Sequence, residues 1–235
     1  MILAAGLGTR FKPWTDSHPK ALAPVLGKPL LQHAIEYLQR AGIYEVVVNT
    51  HHFAGQIADA LESNKGWGST VIISYEPEVL ETGGGIVQAA PLLGAESFVL
   101  INADILTDMD LNAMIEFHDR FNPLVTLAVT DRPSSRCFLF DHFNDLCGWR
   151  NNITGEERIS RTTADTIPKA FSGIHIIDPR IFSLITYTGK FSLVDLYLDL
   201  CRSEIIKAYD HSGSRLIDVG KPGAVEEAER LFFEK

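Results

Sequence analysis

Leu3-Ala4-Ala5-Gly6-Leu7-Gly8-Thr9-Arg10-Phe11-Lys12-Pro13, followed by Pro19-Lys20-Ala21-Leu22, decides how the rest of the chain is read. A short apolar strand, Met1–Ala4, runs into a turn whose glycines carry no Cβ, so backbone N–H groups approach a ligand closely. In parallel α/β sheets such turns sit at the carboxyl ends of strands, where ligands bind. Arg10 adds a planar fork suited to phosphate oxygens, and Lys20 adds a compact positive charge from the next turn. Together these features predict an anion site built on Leu3, Ala4, Ala5, Gly6, Gly8, Thr9, Arg10 and Lys20. Two other glycine-loop readings fit less well. A dinucleotide fold wants a third glycine where Phe11 stands, and an acid after the second strand, which ends in Asn49-Thr50. A Walker loop wants Gly-Lys-Ser/Thr, whereas Gly27-Lys28 is followed by Pro29.

Outward from this loop, strands alternate with helices. Val- and Ile-rich runs at Glu45–Asn49, Thr70–Tyr75, Phe98–Asn102 and Val125–Val129 read as strands. Helical periodicity follows Pro29 up to Gly42 and returns at Phe53–Leu61 and Leu111–Phe117. The order predicts an α/β fold, a Rossmann-like, mostly parallel mixed sheet flanked by helices. After about residue 130 shorter strands take over, at Phe138–Phe140, Asp145–Trp149 and Ala170–Ile177, which predict a small antiparallel extension. A helix at Leu193–Cys201, strands at Ile205–Tyr209 and Arg215–Val219, and a helix at Pro222–Phe233 complete the pattern. With no linker or repeat, residues 1–235 read as a single domain, with a nucleotide-binding half at 1–130 and a second half at 131–235.

Composition narrows the partners. A net charge of −9 argues against nucleic acid and anionic membrane surfaces, yet Arg10, Lys12, Lys20 and Lys28 cluster in the first 30 residues against Asp16 alone. That pattern suits a small anion. No apolar run approaches the roughly 18 residues of a membrane span, and Met1–Ala5 is too short for a signal-peptide core. Three cysteines, Cys137, Cys147 and Cys201, in no metal-binding spacing, fit a reducing compartment, and a cytoplasmic location is expected. The strand at Met1 starts abruptly, so a native start slightly upstream is also expected.

Two acids complete the candidate site. Ser97–Asn102 is an apolar strand running into Ala103-Asp104, and Arg215-Leu216-Ile217 runs into Asp218. Carboxylates at strand ends facing the loop are placed to hold Mg²⁺, which takes one or two protein carboxylates together with phosphate oxygens and water. Asp104 and Asp218 are therefore the expected metal ligands, with Asn102 on the nucleotide side. Adjacent His51-His52 lack a third ligand and read as packing or solvated residues.

The series L-x-x-G-x-G-T-R, P, P-K, with Asp104 and Asp218 in order, resembles the sugar-1-phosphate nucleotidyltransferase family over nearly the whole chain. The resemblance implies transfer of a nucleoside monophosphate from an NTP to a sugar-1-phosphate, with Mg²⁺ as cofactor and Arg10, Lys20 and Asp104 as catalytic residues. It also implies base recognition by Glu76, Thr82 and Gly83 in Tyr75-Glu76-Pro77-Glu78-Val79-Leu80-Glu81-Thr82-Gly83-Gly84-Gly85. The L-E-T-G-G-G form is similar to N-acetylmuramate-1-phosphate uridylyltransferases of cell-wall recycling, and mannose-1-phosphate guanylyltransferases are close to it. Phe171-Ser172-Gly173-Ile174 resembles the sugar-side strand, which implicates Gly173. The family's Glu-Lys-Pro motif is absent, leaving Lys169 to take part of its role. UTP and N-acetylmuramate-1-phosphate are the favoured substrates. Mannose- or heptose-1-phosphate guanylyl transfer, a catalytically silent nucleotide-binding regulator and a nicotinamide-dependent oxidoreductase stand as alternatives. The oligomeric expectation is a monomer or homodimer.

Overall fold

In the computed structural model, which describes residues 1–233, the strands are β1 (Ile2–Leu3), β2 (Pro24–Val25), β3 (Lys28–Pro29), β4 (Glu45–Thr50), β5 (Thr70–Tyr75), β6 (Phe98–Asn102) and β7 (Ile105–Thr107). They continue with β8 (Val125–Thr130), β9 (Arg136–Phe140), β10 (Leu146–Asn151), β11 (Glu157–Ile159), β12 (Ile167–Ile177), β13 (Ile206–Asp210) and β14 (Leu216–Asp218). The helices are α1 (Leu30–Arg40), α2 (Ala54–Ser63), α3 (Glu81–Ala89), α4 (Leu111–Phe121), α5 (Ile181–Leu184), α6 (Leu193–Leu200) and α7 (Gly223–Phe233). None of them is long and apolar enough to cross a membrane.

The central sheet runs β13-β8-β12-β6-β1-β4-β5. Parallel pairing of β1 with β4 and β6, of β4 with β5, and of β8 with β13 leaves β12 as the one strand that opposes its neighbours. The N-terminal end of β12 overshoots this sheet and pairs with β9, which continues into β10 and β11 as the antiparallel arm. Helices flank a mixed sheet, as the β/α alternation predicts. Because β12 lies between β6 and β8, the two halves of the chain share one sheet.

Alternation along the strands explains why both faces are covered. Val46, Val48, Val99, Ile101, Ile174 and Ile176 turn to one face and pack with α1, α2 and α4. Val47, Leu100, Leu127 and Ile177 turn to the other and pack with α3 and α6. Strands buried on both sides need near-continuous apolar runs, which is what Glu45–Thr50 and Phe98–Asn102 supply. A third cluster joins Phe11, Ala23, Val25 and Leu30 to Leu106, Ile217, Val219, Ala224 and Ala228. It clamps the N-terminal loop region against the β7–β14 ribbon and α7.

Several short elements, β2, β3, β7, β11 and α5, have no counterpart in the sequence expectation, and one glycine run is placed differently. The three-residue strand β7 is too short to show a period, and it forms because β14 pairs with it from Leu216↔Thr107 to Asp218↔Ile105. Gly83, Gly84 and Gly85 belong to the first turns of α3 rather than to a loop. Their helix propensity is poor, but close packing requires them: a Cβ on Gly84 would lie 2.3 Å from the Gly189 carbonyl oxygen, and one on Gly83 2.2 Å from Phe191. The obstacle at Gly84 is backbone, so it has little room to yield. Gly84→Ala is expected to destabilise the fold by about 1–3 kcal/mol, the usual cost of overpacking, despite alanine's higher helix propensity. Urea unfolding checks it, and an unchanged or raised midpoint would contradict the packing argument.

Candidate active site

The end of β1 opens into a cleft of ≈ 460 Å³. Leu3, Ala4, Ala5, Gly6, Gly8, Thr9, Arg10 and Lys20 line one wall, Glu76 and Thr82 the far end, and Asn102 and Asp104 the floor. Gly8 has φ +59, and a Cβ there would meet Thr15 Cγ2 at 2.9 Å and Lys20 Cβ at 3.0 Å. Glycine at this position thus lets Lys20 fold back under the loop. The loop is fixed further by Thr15, whose hydroxyl donates to the Gly8 carbonyl at 3.0 Å. Gly6, by contrast, has open space where its Cβ would be.

At the cleft floor Lys20 Nζ donates to Asp104 Oδ2 in a largely buried ion pair. Asp218 arrives beside Asp104 by strand pairing, since its backbone faces Ile105 and Val219 N donates to the Asp104 carbonyl at 2.9 Å. Arg10 completes the group from the loop. A Cβ on Gly220 would lie 3.0 Å from Asp218 Oδ1 and 3.2 Å from Arg10 Nη2, which places both groups against the same glycine. The Asp218 carboxyl is open to solvent on one side, yet its pKa is pushed up from the ordinary carboxylate value. Partial desolvation by its walls is the larger cause and the Asp104 charge the next, against the opposing pull of Lys20, Arg10 and Arg132.

Among the other expected residues, Glu76 and Thr82 reach the cleft, whereas Gly83, Gly173 and Lys169 are not part of its lining. Gly83 is buried beneath Phe191, with its N–H donating to the Phe191 carbonyl at 2.9 Å, so it faces the interior rather than the cleft. The Glu76 carboxylate is also turned inward: Oε1 accepts from Asn49 Nδ2 at 2.6 Å and Oε2 from Leu80 N at 3.1 Å. Thr82 Oγ1 accepts from Leu193 N at 3.0 Å, tying the mouth to α6. Gly173 has φ +76, and a Cβ there would lie 2.7 Å from Ile105 Cγ1 and 3.0 Å from Asn102 Nδ2. Lys169 is held between Asp131, at 2.6 Å, and Asp210, away from the cleft wall. Burial works against its charge, but those two carboxylates outweigh it and hold its pKa above the ordinary value. His51 Nδ1 donates to the Glu76 carbonyl at 2.8 Å.

Asn49, Val79 and Glu81 also line the cleft and were not singled out from the sequence. Asn49 has a readable role: its Oδ1 accepts from Ala4 N at 2.7 Å while its amide holds Glu76, joining β1, β4 and the β5–α3 segment. An amide ending an otherwise apolar strand was the available signal. Glu81 stands at φ +60 at the start of α3, an unusual conformation for a side chain with a Cβ, and pairs with Lys190 at 3.5 Å.

A backbone-lined loop with two cations, facing two hard oxygen ligands at neighbouring strand ends, defines a protein that handles phosphate-bearing nucleotides. The family model for nucleotidyl transferases matches residues 1–138. N-acetylmuramate alpha-1-phosphate uridylyltransferase of Neisseria meningitidis serogroup B is 32% identical over 98% of this chain and 96% of its own length. D-glycero-alpha-D-manno-heptose 1-phosphate guanylyltransferase of Aneurinibacillus thermoaerophilus is 28% identical over 98% and 96%. The structure of HddC from Yersinia pseudotuberculosis complexed with GMP-PN superposes with a TM-score of 0.78 at 25% identity, covering 98% of this chain and 97% of that one. The chain belongs to the nucleotidyl transferase family and is a sugar-1-phosphate nucleotidyltransferase.

The raised Asp218 pKa makes a stability prediction. A carboxyl that binds its proton more tightly folded than unfolded loses stability as pH rises through the window between the two pKa values, and the full penalty is present at neutral pH. Asp218→Asn removes that penalty. The variant is expected to melt higher than wild type at pH 7 without added metal, with the gain fading once the pH falls below the ordinary carboxylate range. A lower melting temperature at pH 7 would contradict the electrostatic assignment.

Proposed function

We propose that the enzyme transfers UMP from UTP to N-acetylmuramate-1-phosphate with the help of Mg²⁺, releasing pyrophosphate. The observation that carries the reading is the Lys20–Asp104 pair at the cleft floor with Asp218 beside it and Arg10 opposite. The choice of UTP and of the muramate sugar rests on the Leu80-Glu81-Thr82-Gly83-Gly84-Gly85 segment and on 32% identity to the Neisseria uridylyltransferase along nearly its full length. Guanylyl transfer to a heptose- or mannose-1-phosphate is the second reading, favoured by the likeness to HddC with its bound GMP-PN.

In this reading an oxygen of the sugar phosphate attacks the α-phosphorus in line. A new P–O bond forms there, the bond to the α–β bridging oxygen breaks, and that oxygen leaves with the electron pair as part of pyrophosphate. The nucleophile is already anionic, so no side chain must take a proton. The loop amides from Leu7 to Thr9 and the Arg10 guanidinium bind the triphosphate, and Lys20, held at the floor by Asp104, donates to oxygens at the reacting centre. Asp104 and Asp218 suit Mg²⁺: they are hard oxygen donors brought together by strand pairing, and two carboxylates are what that ion takes from protein when phosphates supply other ligands. Bound there, the ion would supply Lewis-acid neutralisation of phosphate charge.

Arg10→Ala, Lys20→Ala and Asp104→Asn are each expected to lower turnover about 10²-fold or more, as loss of one transition-state stabilising group does. Pyrophosphate release near the wild-type rate in all three would remove them from the mechanism. The substrate choice is tested by pyrophosphate release with UTP, GTP, CTP, dTTP and ATP against muramate-, mannose-, heptose-, glucosamine- and glucose-1-phosphates. The expected maximum is UTP with N-acetylmuramate-1-phosphate. A maximum at GTP with heptose- or mannose-1-phosphate would transfer the reading to guanylyl transfer.

A further inference from the structure

Lys20 and Arg10 both serve the N-terminal side of the site, and the second half of the chain must also meet a phosphate. Among the cations there, Lys169 is neutralised by Asp131 and Asp210. Arg132 is not. It is the second residue beyond β8, in the turn Asp131-Arg132-Pro133, and among the described residues no carboxylate lies within ion-pairing distance of it. Its Nη2 donates to the Phe171 carbonyl at 2.7 Å. That anchor uses one of the five guanidinium N–H groups and leaves the other face of the fork to solvent and ligand.

The anchor point lies two residues from Gly173, which packs against a residue of the cleft floor. The β8–β12 register shifts between Phe171 and His175, and within that irregularity Gly173 turns onto Asn102 and Ile105. Asn102 in turn lines the cleft floor with Asp104. Ser172, in the same stretch, bonds His211 at 2.8 Å between its Oγ and the ring Nε2, which fixes the backbone that Arg132 grips. The Asp218 charge also acts on Arg132, as the Arg132 charge does on Asp218. Burial lowers the guanidinium pKa from its ordinary value and the Asp218 charge opposes the shift, so the group stays cationic at neutral pH.

We propose that Arg132 binds the phosphate of the sugar-1-phosphate, holding it on the Asp218 side of the cleft. The inference rests on the transfer reaction proposed above and assigns one of its two phosphate subsites. A guanidinium anchored through one edge presents a preset fork to a tetrahedral anion, whereas Lys169 has no free charge to offer.

The test is a pair of Michaelis constants for each variant, one for UTP and one for N-acetylmuramate-1-phosphate, or for the pair that gives the highest turnover in the substrate matrix. Arg132→Met is expected to raise KM for the sugar phosphate about 10- to 100-fold, the worth of one charge-assisted hydrogen bond, with KM for UTP changed less than about twofold. Arg132→Lys should fall between, and guanidinium ion added to Arg132→Ala should restore part of the loss. A merely structural clamp would raise both constants together and would not respond to guanidinium. Equal rises, or an unchanged sugar-phosphate KM in folded Arg132→Met and Arg132→Lys, would overturn the assignment while leaving the reaction intact. Absence of pyrophosphate release from wild type with every sugar phosphate would overturn the reaction and this subsite together.

Discussion

Two aspartates held side by side at a cleft floor are the costly feature around which this structure is arranged. Asp104 follows β6, Asp218 ends β14, and the β7–β14 pairing leaves neither free to move away from the other. The Asp104 charge repels that of Asp218, and this is the second cause of the raised Asp218 pKa after desolvation. The fold answers with cations from elsewhere in sequence: Lys20 bonded to Asp104, and Arg10 against the glycine that also touches Asp218. The third apolar cluster makes that answer permanent, because Phe11 and Ala23, on either side of Lys20, pack with Leu106 and Ile217.

The same arrangement accounts for the chemistry. A nucleotidyl transfer gathers two phosphate-bearing anions, so its barrier is dominated by charge that must be neutralised in a fixed geometry. A preformed set of opposed charges does this without rearranging at the moment of reaction. The raised pKa of Asp218 reflects the same crowding, and groups perturbed in this way cluster at functional sites. The mixed sheet contributes by geometry alone. The reversed β12 brings Gly173 against Asn102 at the end of β6, and Gly220 joins the N-terminal residues in lining the cleft, so both halves contribute to one site.

Much of this was legible in the sequence because it depends on local rules. Apolar runs at Glu45–Thr50 and Phe98–Asn102 announce doubly covered strands, and Gly6-Leu7-Gly8-Thr9-Arg10 announces an anion loop at a strand end. Other parts depend on long-range contacts that leave no local trace. The Gly83–Gly85 run is expected from the resemblance to serve base recognition, yet Phe191 and Gly189, about a hundred residues on, demand the smallness of Gly83 and Gly84 inside α3. Glu76 lay in the right segment, but only the fold reveals that Asn49 and Leu80 N take both its oxygens. Lys169 looked like a free cation because Asp131 and Asp210 are distant in sequence. Arg132 escaped notice for the converse reason: a basic residue in a turn is unremarkable until Phe171 and Asp218 stand beside it.

Nucleotidyl transfer at this site moves a nucleoside monophosphate from one phosphate to another. The most direct measurement follows UTP radiolabelled at the α-phosphate, incubated with N-acetylmuramate-1-phosphate, Mg²⁺ and the wild-type enzyme. The expected result is label in a product that contains uridine and the sugar, with unlabelled pyrophosphate in equal amount. Label recovered only in UMP or in unchanged UTP, with each NTP and sugar phosphate tried in turn, would contradict it.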